Sequence, residues 1–278
     1  FFTDHERLAL IVSALAHDAG HPGVSNHFLI QSSDPLAIMY NDASPLEHMH
    51  CARLFEIVHR PEAAIFAGLP AVQRRQVRQV CIEAILSTDS QRHWEIATDM
   101  QRLYESNRAT FDLAAEMYEE YQGNCPPTEV IDLFRRKETQ KTLWACFMRF
   151  SDQSNSLKPW EMCRQWGYLM FEEFYMQGDR ETELGLPVHP LNNRGANRME
   201  KDQLTLIDHL VAPFMMNIYK LLPPLARHGD TMVENMEGWK EEMEEDMAVG
   251  HRITQTAGRD EHVEVAKRIE SLRRQVSP

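Results

Sequence analysis

Residues 17–50 read HDAGHPGVSNHFLIQSSDPLAIMYNDASPLEHMH and hold the densest cluster of histidine and carboxylate side chains in the chain's first fifty positions. The stretch sets His17, Asp18 and His21 close together, then Pro22-Gly23, an Asn41-Asp42 pair, and Glu47 with His50. Neutral imidazole nitrogen and carboxylate oxygen together suit a divalent cation such as Zn²⁺, Mn²⁺ or iron, so a metal site is the first expectation. Upstream, Thr3 and Glu6 form a T-x-x-E capping box, and apolar residues at 8, 11, 12 and 15 follow at helical spacing. A helix should therefore run into His17 and end at Pro22-Gly23, leaving His17 and Asp18 at its C-terminus and His21 one turn on. A carboxylate in that place faces the negative end of the helix dipole, a penalty that a bound cation removes. Read in isolation, His17 serves equally well as a hydrogen-bonded core histidine and Asp18 as a helix-terminal residue.

The helical period continues along the chain. Ser44-Pro45-Leu46-Glu47 reads as a second capping box with proline at the first helical position, which predicts a helix over 45–59. Residues 24–44 mix Asn, Ser and Asp with short apolar pieces and predict short helices joined by loops. Apolar stripes follow in 71–87, 91–121, 128–150 and 160–177, and again in 199–222, where Pro213 should kink the helix. In 231–247, Met232, Met236, Trp239, Met243 and Met247 share one face, as in a helix packed on the body of the domain or on a partner. Neither an internal repeat nor strand-like alternation stands out, and 12 glycines and 14 prolines are few for a turn-rich all-β chain. We read residues 1–278 as one compact all-α, multi-helix domain, with 231–278 as its C-terminal helices.

A net charge of −13 argues against nucleic acid or an anionic membrane as partner, and an anionic substrate would need local metal or basic groups. Five cysteines without a CxxC pair fit reduced, mostly buried thiols in a cytoplasmic domain. The longest apolar stretch, residues 8–16, is too short to span a bilayer, so any membrane tether would lie outside residues 1–278.

HDAGHPGVSNHF, LAIMYND and LEHMH closely resemble the HDxxHPGxxNxF, LAxxYND and LExxH blocks of class I cyclic-nucleotide phosphodiesterases. The resemblance continues through SDQSNSLKPWEMCRQW (151–166), FEEFYMQGDRETELGLPVHPL (171–191) and KDQLTLID (201–208). It implies an all-α catalytic domain with a binuclear metal centre. Such a domain hydrolyses 3′,5′-cyclic nucleotides, cGMP or cAMP, to 5′-monophosphates by a metal-activated hydroxide. His17, Asp18 and Asp152 match three ligands of the family's tight site, with zinc expected there and magnesium or manganese in the second site, bridged by Asp18. His21, Glu47, His50 and Thr88 match positions that hold or surround the second metal's waters, which puts Asp18, His21 and Glu47 in the catalytic set. Glu47 also reads as the third residue of a helix cap. The family's leaving-group acid and fourth ligand belong to a YHNxxH motif that the sequence does not contain. The resemblance therefore implies that residues 1–278 alone are nearly inactive.

By the same resemblance Gln203 reads the purine edge, and its amide accommodates either nucleotide depending on how neighbours fix it. Leu206 stands where the family has a stacking Phe, which implies a looser clamp, and Met170 lies on the opposite wall. Asn155 falls where many cAMP-preferring members carry Asn. The sequence leaves open another HD-type nucleotide phosphohydrolase and a catalytically weak cyclic-nucleotide-binding domain. It also leaves open a homodimer, a linked regulatory or sensor domain, and the choice between cAMP and cGMP.

Overall fold

The computed structural model describes residues 1–121, 126–249 and 257–276, and among them every regular element is helical. The helices are α1 (Asp4–Ala16), α2 (Asn26–Gln31), α3 (Pro35–Met39), α4 (Pro45–Val58), α5 (Ala71–Leu86), α6 (His93–Ser106) and α7 (Arg108–Tyr121). They continue with α8 (Thr128–Phe134), α9 (Lys137–Asp152), α10 (Trp160–Glu183), α11 (Met199–Leu206), α12 (Ala212–Leu221), α13 (His228–Val249) and α14 (Ala257–Val276). They group into two compact units, 1–152 with 183–186, and 153–182 with 187–278.

In the first unit α1, α4, α5 and α9 pack around Ala9, Leu54, Phe55, Val77, Val80, Cys81, Ile85 and Trp144. α1 begins as its sequence predicts: Glu6 N–H donates to Thr3 Oγ1 while Thr3 N–H donates to Glu6 Oε2. It ends sooner than expected, at Ala16 with His17 as C-cap, and Gly20, at φ 79°, turns the chain before Pro22 is reached. A smaller cluster of Val24, Phe28, Leu29, Ala37, Leu46 and Met49 joins α2, α3 and α4.

Two of the expected long helices are broken. The stripe over 91–121 divides at Asn107, whose side chain donates to the Leu103 carbonyl and so competes with the helical ladder. The stripe over 128–150 divides between α8 and α9. The box expected at Ser44 is also absent. Ser44 takes a left-handed conformation at φ 44° without capping, and Asn26 Oδ1 accepts the Leu46 N–H instead.

In the second unit Met232, Met236, Trp239 and Met243 are all buried on α13, while the side chain of Met247 lies outside the described residues. Gly167 of α10 lets that helix approach closely, because a Cβ there would lie 2.5 Å from Trp239 Cζ2. Asn235 pins the turn before α10 by donating to the carbonyls of Ser156 and Lys158, each at 2.8 Å. Residues 199–221 form continuous helix, and the stretch Ile207–Val211 just before Pro213 is wound as a π turn. Proline has no N–H to complete the α-ladder, and the widened turn stands where that bond is lost. Cys51, Cys81, Cys146 and Cys163 are free and buried, and Cys125 lies outside the described residues.

Candidate metal centre

The end of α1, the start of α4 and the end of α9 bring His17, Asp18, His50 and Asp152 together in the first unit. His17 Nε2 lies 3.2 Å from Asp18 Oδ2 and 3.4 Å from Asp152 Oδ1, and one donor atom from each of the three falls within 4.8 Å of the others. Ligands about 2.1 Å from a tetrahedral cation stand about 3.4 Å apart, so the spacing suits zinc. The tautomer suits it too. His17 Nδ1–H donates to the Ala14 carbonyl at 2.9 Å, which turns Nε2 toward the two carboxylates.

Electrostatics point the same way. Burial works to lower the His17 pKa, but hydrogen bonds to Asp152 and Asp18 override it and hold the imidazole up at about 10. Burial opposes ionisation of Asp18, yet the hydrogen bond and charge of His17, with His21 and His50, keep its carboxyl below the usual range. Without metal the two carboxylates thus retain a proton on His17 where a cation would compete for the same lone pair.

Asp18 has a second face, because its Oδ1 is 3.6 Å from His50 Nε2. His50 is 1% exposed, donates Nδ1–H to the Ala19 carbonyl at 3.1 Å, and stacks against His21. Burial pushes the His50 imidazole down, toward the neutral form. His21 Nδ1 accepts the Gly23 N–H at 3.0 Å, so its neutral form carries the proton on Nε2. Glu47 is buried and accepts from Asn26 Nδ2 at 2.8 Å. Burial raises its pKa, aided by Asp89 and Asp18 and opposed by the Asn26 bond. Glu47 therefore makes no reciprocal cap with Ser44. Thr88 is half-buried and donates to the Ile85 carbonyl at 2.7 Å.

Sequence reasoning missed three contributors to this site. Asn26 both caps α4 and holds Glu47. Its place inside the VSNHF block was the available signal. Asp89 accepts from Ser44 Oγ, a pairing without a spacing pattern, whereas Arg149 pairs with Asp152 at i,i+3 on α9, and that helical spacing was its available signal.

The expected nucleotide-reading residues lie in the second unit. Gln203 is 3% exposed, and its Nε2 has no hydrogen-bond partner among the described residues. It sits 2.9 Å from where a Cβ on Gly167 would stand. Leu206 is one turn further along α11, just before the π turn, and Met170 is one turn beyond Gly167 on α10; both are half-buried. Asn155 lies in the short helix Ser154–Leu157, its Oδ1 accepting the Ser156 N–H. No helix among the described residues is long and apolar enough to cross a membrane.

The family model for 3′,5′-cyclic nucleotide phosphodiesterases matches residues 1–232. The chain is 34% identical over 262 residues to probable 3′,5′-cyclic-AMP phosphodiesterase pde-4 of Caenorhabditis elegans, covering 94% of this chain and 36% of that protein. It is 34% identical over 240 residues to 3′,5′-cyclic-AMP phosphodiesterase 4C of Mus musculus, covering 86% of this chain and 32% of that one. The chain thus spans about a third of the length of these relatives. Among solved structures it resembles the phosphodiesterase domain of Salpingoeca rosetta rhodopsin phosphodiesterase, with TM-score 0.76 and 26% identity over 88% of this chain and 68% of that one. It also resembles LmjPDEB1 in complex with IBMX, with TM-score 0.73 and 27% identity over 87% and 67% of the two chains. With the family model spanning most of the chain, this protein belongs to the class I 3′,5′-cyclic nucleotide phosphodiesterase family.

Proposed function

We propose that this chain is a cyclic-nucleotide phosphodiesterase domain that opens the 3′ ester of a 3′,5′-cyclic nucleotide to give the 5′-monophosphate. The observation that carries it is the meeting of His17 Nε2 with single oxygens of Asp18 and Asp152 in a chain of this family. The family implies divalent metals. We assign zinc to His17, Asp18 and Asp152, and magnesium or manganese to the other face of Asp18, near His50. When bound, the metals supply the Lewis acidity that makes water a nucleophile at neutral pH and offsets phosphate charge.

The chain's own groups do the rest. Asp18 directs one oxygen to His17 and the other toward His50, which suits it to join two sites. His21 holds a proton at Nε2 beside His50, available to a water or phosphate oxygen. Glu47, kept in place by Asn26, and Thr88 complete the polar surroundings that orient water. In the reaction a water oxygen bonds to phosphorus, the P–O3′ bond breaks, and the 3′ oxygen takes a proton. Gln203, buried with an unused amide N–H, is assigned to the purine edge, with Leu206, Met170 and Asn155 around it. We name cAMP first, because both curated relatives are named for it. Residues 1–278 form one catalytic domain in this reading, with 231–278 as its C-terminal helices. The family match runs through both compact units.

³¹P NMR of cAMP and cGMP incubated with chelated and then metal-restored protein tests the proposal. It predicts slow, strictly metal-dependent appearance of the 5′-monophosphate, slow because residues 1–278 do not contain the family's YHNxxH motif. Release of the 3′-monophosphate, or turnover indifferent to metal, contradicts it.

A further inference from the structure

Asp152 turns one oxygen toward His17, while its other oxygen is held from behind by a buried guanidinium. Arg149, one turn earlier on α9, is 3% exposed, and its Nη1 donates to Asp152 Oδ2 at 3.4 Å. Its Nη2 donates to the main-chain carbonyl of Asp89. That carbonyl is a fixed anchor. Asp89 is 4% exposed, and its two carboxylate oxygens accept from Ser44 Oγ at 2.6 Å and from the Gln91 N–H at 2.9 Å. A guanidinium is planar with donors at set angles, so two partners fix its plane and the direction in which Nη1 points. Burying such a cation is costly unless its partners are well placed, which argues for a use beyond packing.

We propose that Arg149 is a positioning residue that occupies Asp152 Oδ2 and restricts Asp152 to a one-oxygen ligand. The inference rests on the metal-centre reading above. Lysine at 149 keeps the charge, but a single ammonium loses the planar fork; glutamine removes the charge as well. In either variant Oδ2 is released and can join Oδ1 on the cation.

The test titrates chelator-treated protein with Co²⁺ and follows visible d–d absorption, whose intensity falls as coordination number rises. Arg149→Lys and Arg149→Gln should both lower the absorptivity of the first bound equivalent, and R149K should bind Co²⁺ about 10–100-fold more weakly, the usual effect of losing a group that orients a ligand. In an Asp152→Asn background R149K should leave the spectrum as it is in that background. A parental spectrum in either variant, with circular dichroism unchanged, overturns the inference. Failure of the parent itself to bind Co²⁺ refutes the metal-centre reading instead.

Discussion

Replacing Gly167 with alanine tests the packing beneath the proposed base-reading site. The added Cβ would lie 2.5 Å from Trp239 Cζ2, 2.8 Å from its Cη2 and 2.9 Å from Gln203 Nε2. Carbon atoms in contact sit about 3.5–4.0 Å apart, so the indole must retreat by about 1 Å. It has little room to do so. Trp239 is fully buried, its ring meets Trp160 edge-on at 5.1 Å, and the neighbouring Gly238 already sits so close that its own Cβ would be 2.7 Å from the Trp160 ring. Overpacking of this kind costs about 1–3 kcal/mol, and the cramped geometry argues for the upper end. Alanine recovers about 1 kcal/mol through its better helix propensity, leaving a net loss of about 2 kcal/mol. Thermal unfolding should then show Tm lower by about 2–4 °C per kcal/mol, several degrees in all. Gly68 supplies the control, since a Cβ there meets nothing within 4 Å and Gly68→Ala should leave Tm unchanged or slightly raised. Because the same Cβ presses on Gln203, G167A should also weaken nucleotide binding. A G167A protein as stable as its parent would refute the packing argument.

Three further outcomes follow from the site and the core. Asp18→Asn keeps the shape of a side chain that is 59% exposed but removes the charge that two cations would share, so metal binding and turnover should collapse while circular dichroism stays native; unchanged metal content would count against it. Leu206→Phe should lower KM several-fold for the preferred nucleotide, stacking being worth about 1 kcal/mol, and an unchanged or higher KM for both nucleotides would remove the looser-clamp idea. Burial pushes the thiols of Cys51 and Cys163 up to about 12 and about 11, and those of Cys81 and Cys146 upward as well. Peptide-mapped alkylation at pH 8 should therefore modify these four only as fast as the protein opens, and rapid labelling in the folded state would contradict their packing.

Local signals in the sequence proved dependable where a structural feature is itself local. The Thr3–Glu6 box formed, Met232, Met236, Trp239 and Met243 of α13 are buried as their spacing predicts, and α4 and α5 lie within a residue or two of the expected bounds. Periodicity reports which face is apolar, not where the ladder breaks, so the division at Asn107 was invisible in a stripe that continues on either side of it. Ser44 shows a different failure. A suitable capping residue stood at the right place, yet the N–H of Leu46 is satisfied by Asn26 from twenty positions upstream, and Ser44 was left to bind Asp89, forty-five positions on. Pairings of that kind carry no spacing pattern, and the same reason hid the contact of Arg149 with Asp89, sixty positions away. The grouping of His17, Asp18 and Asp152 is equally long-range; it was expected because family motifs, rather than periodicity, tie those positions together.

His17, Asp18 and Asp152 are proposed to form one metal site. Its most direct measurement is calorimetric titration of chelator-treated protein with Zn²⁺, comparing the parent with His17→Ala, Asp18→Asn and Asp152→Asn. The parent should bind one tight equivalent with proton release as the cation displaces the proton held on His17, and each variant should lose it. Parental Zn²⁺ affinity in any of the three folded variants would contradict the site as drawn.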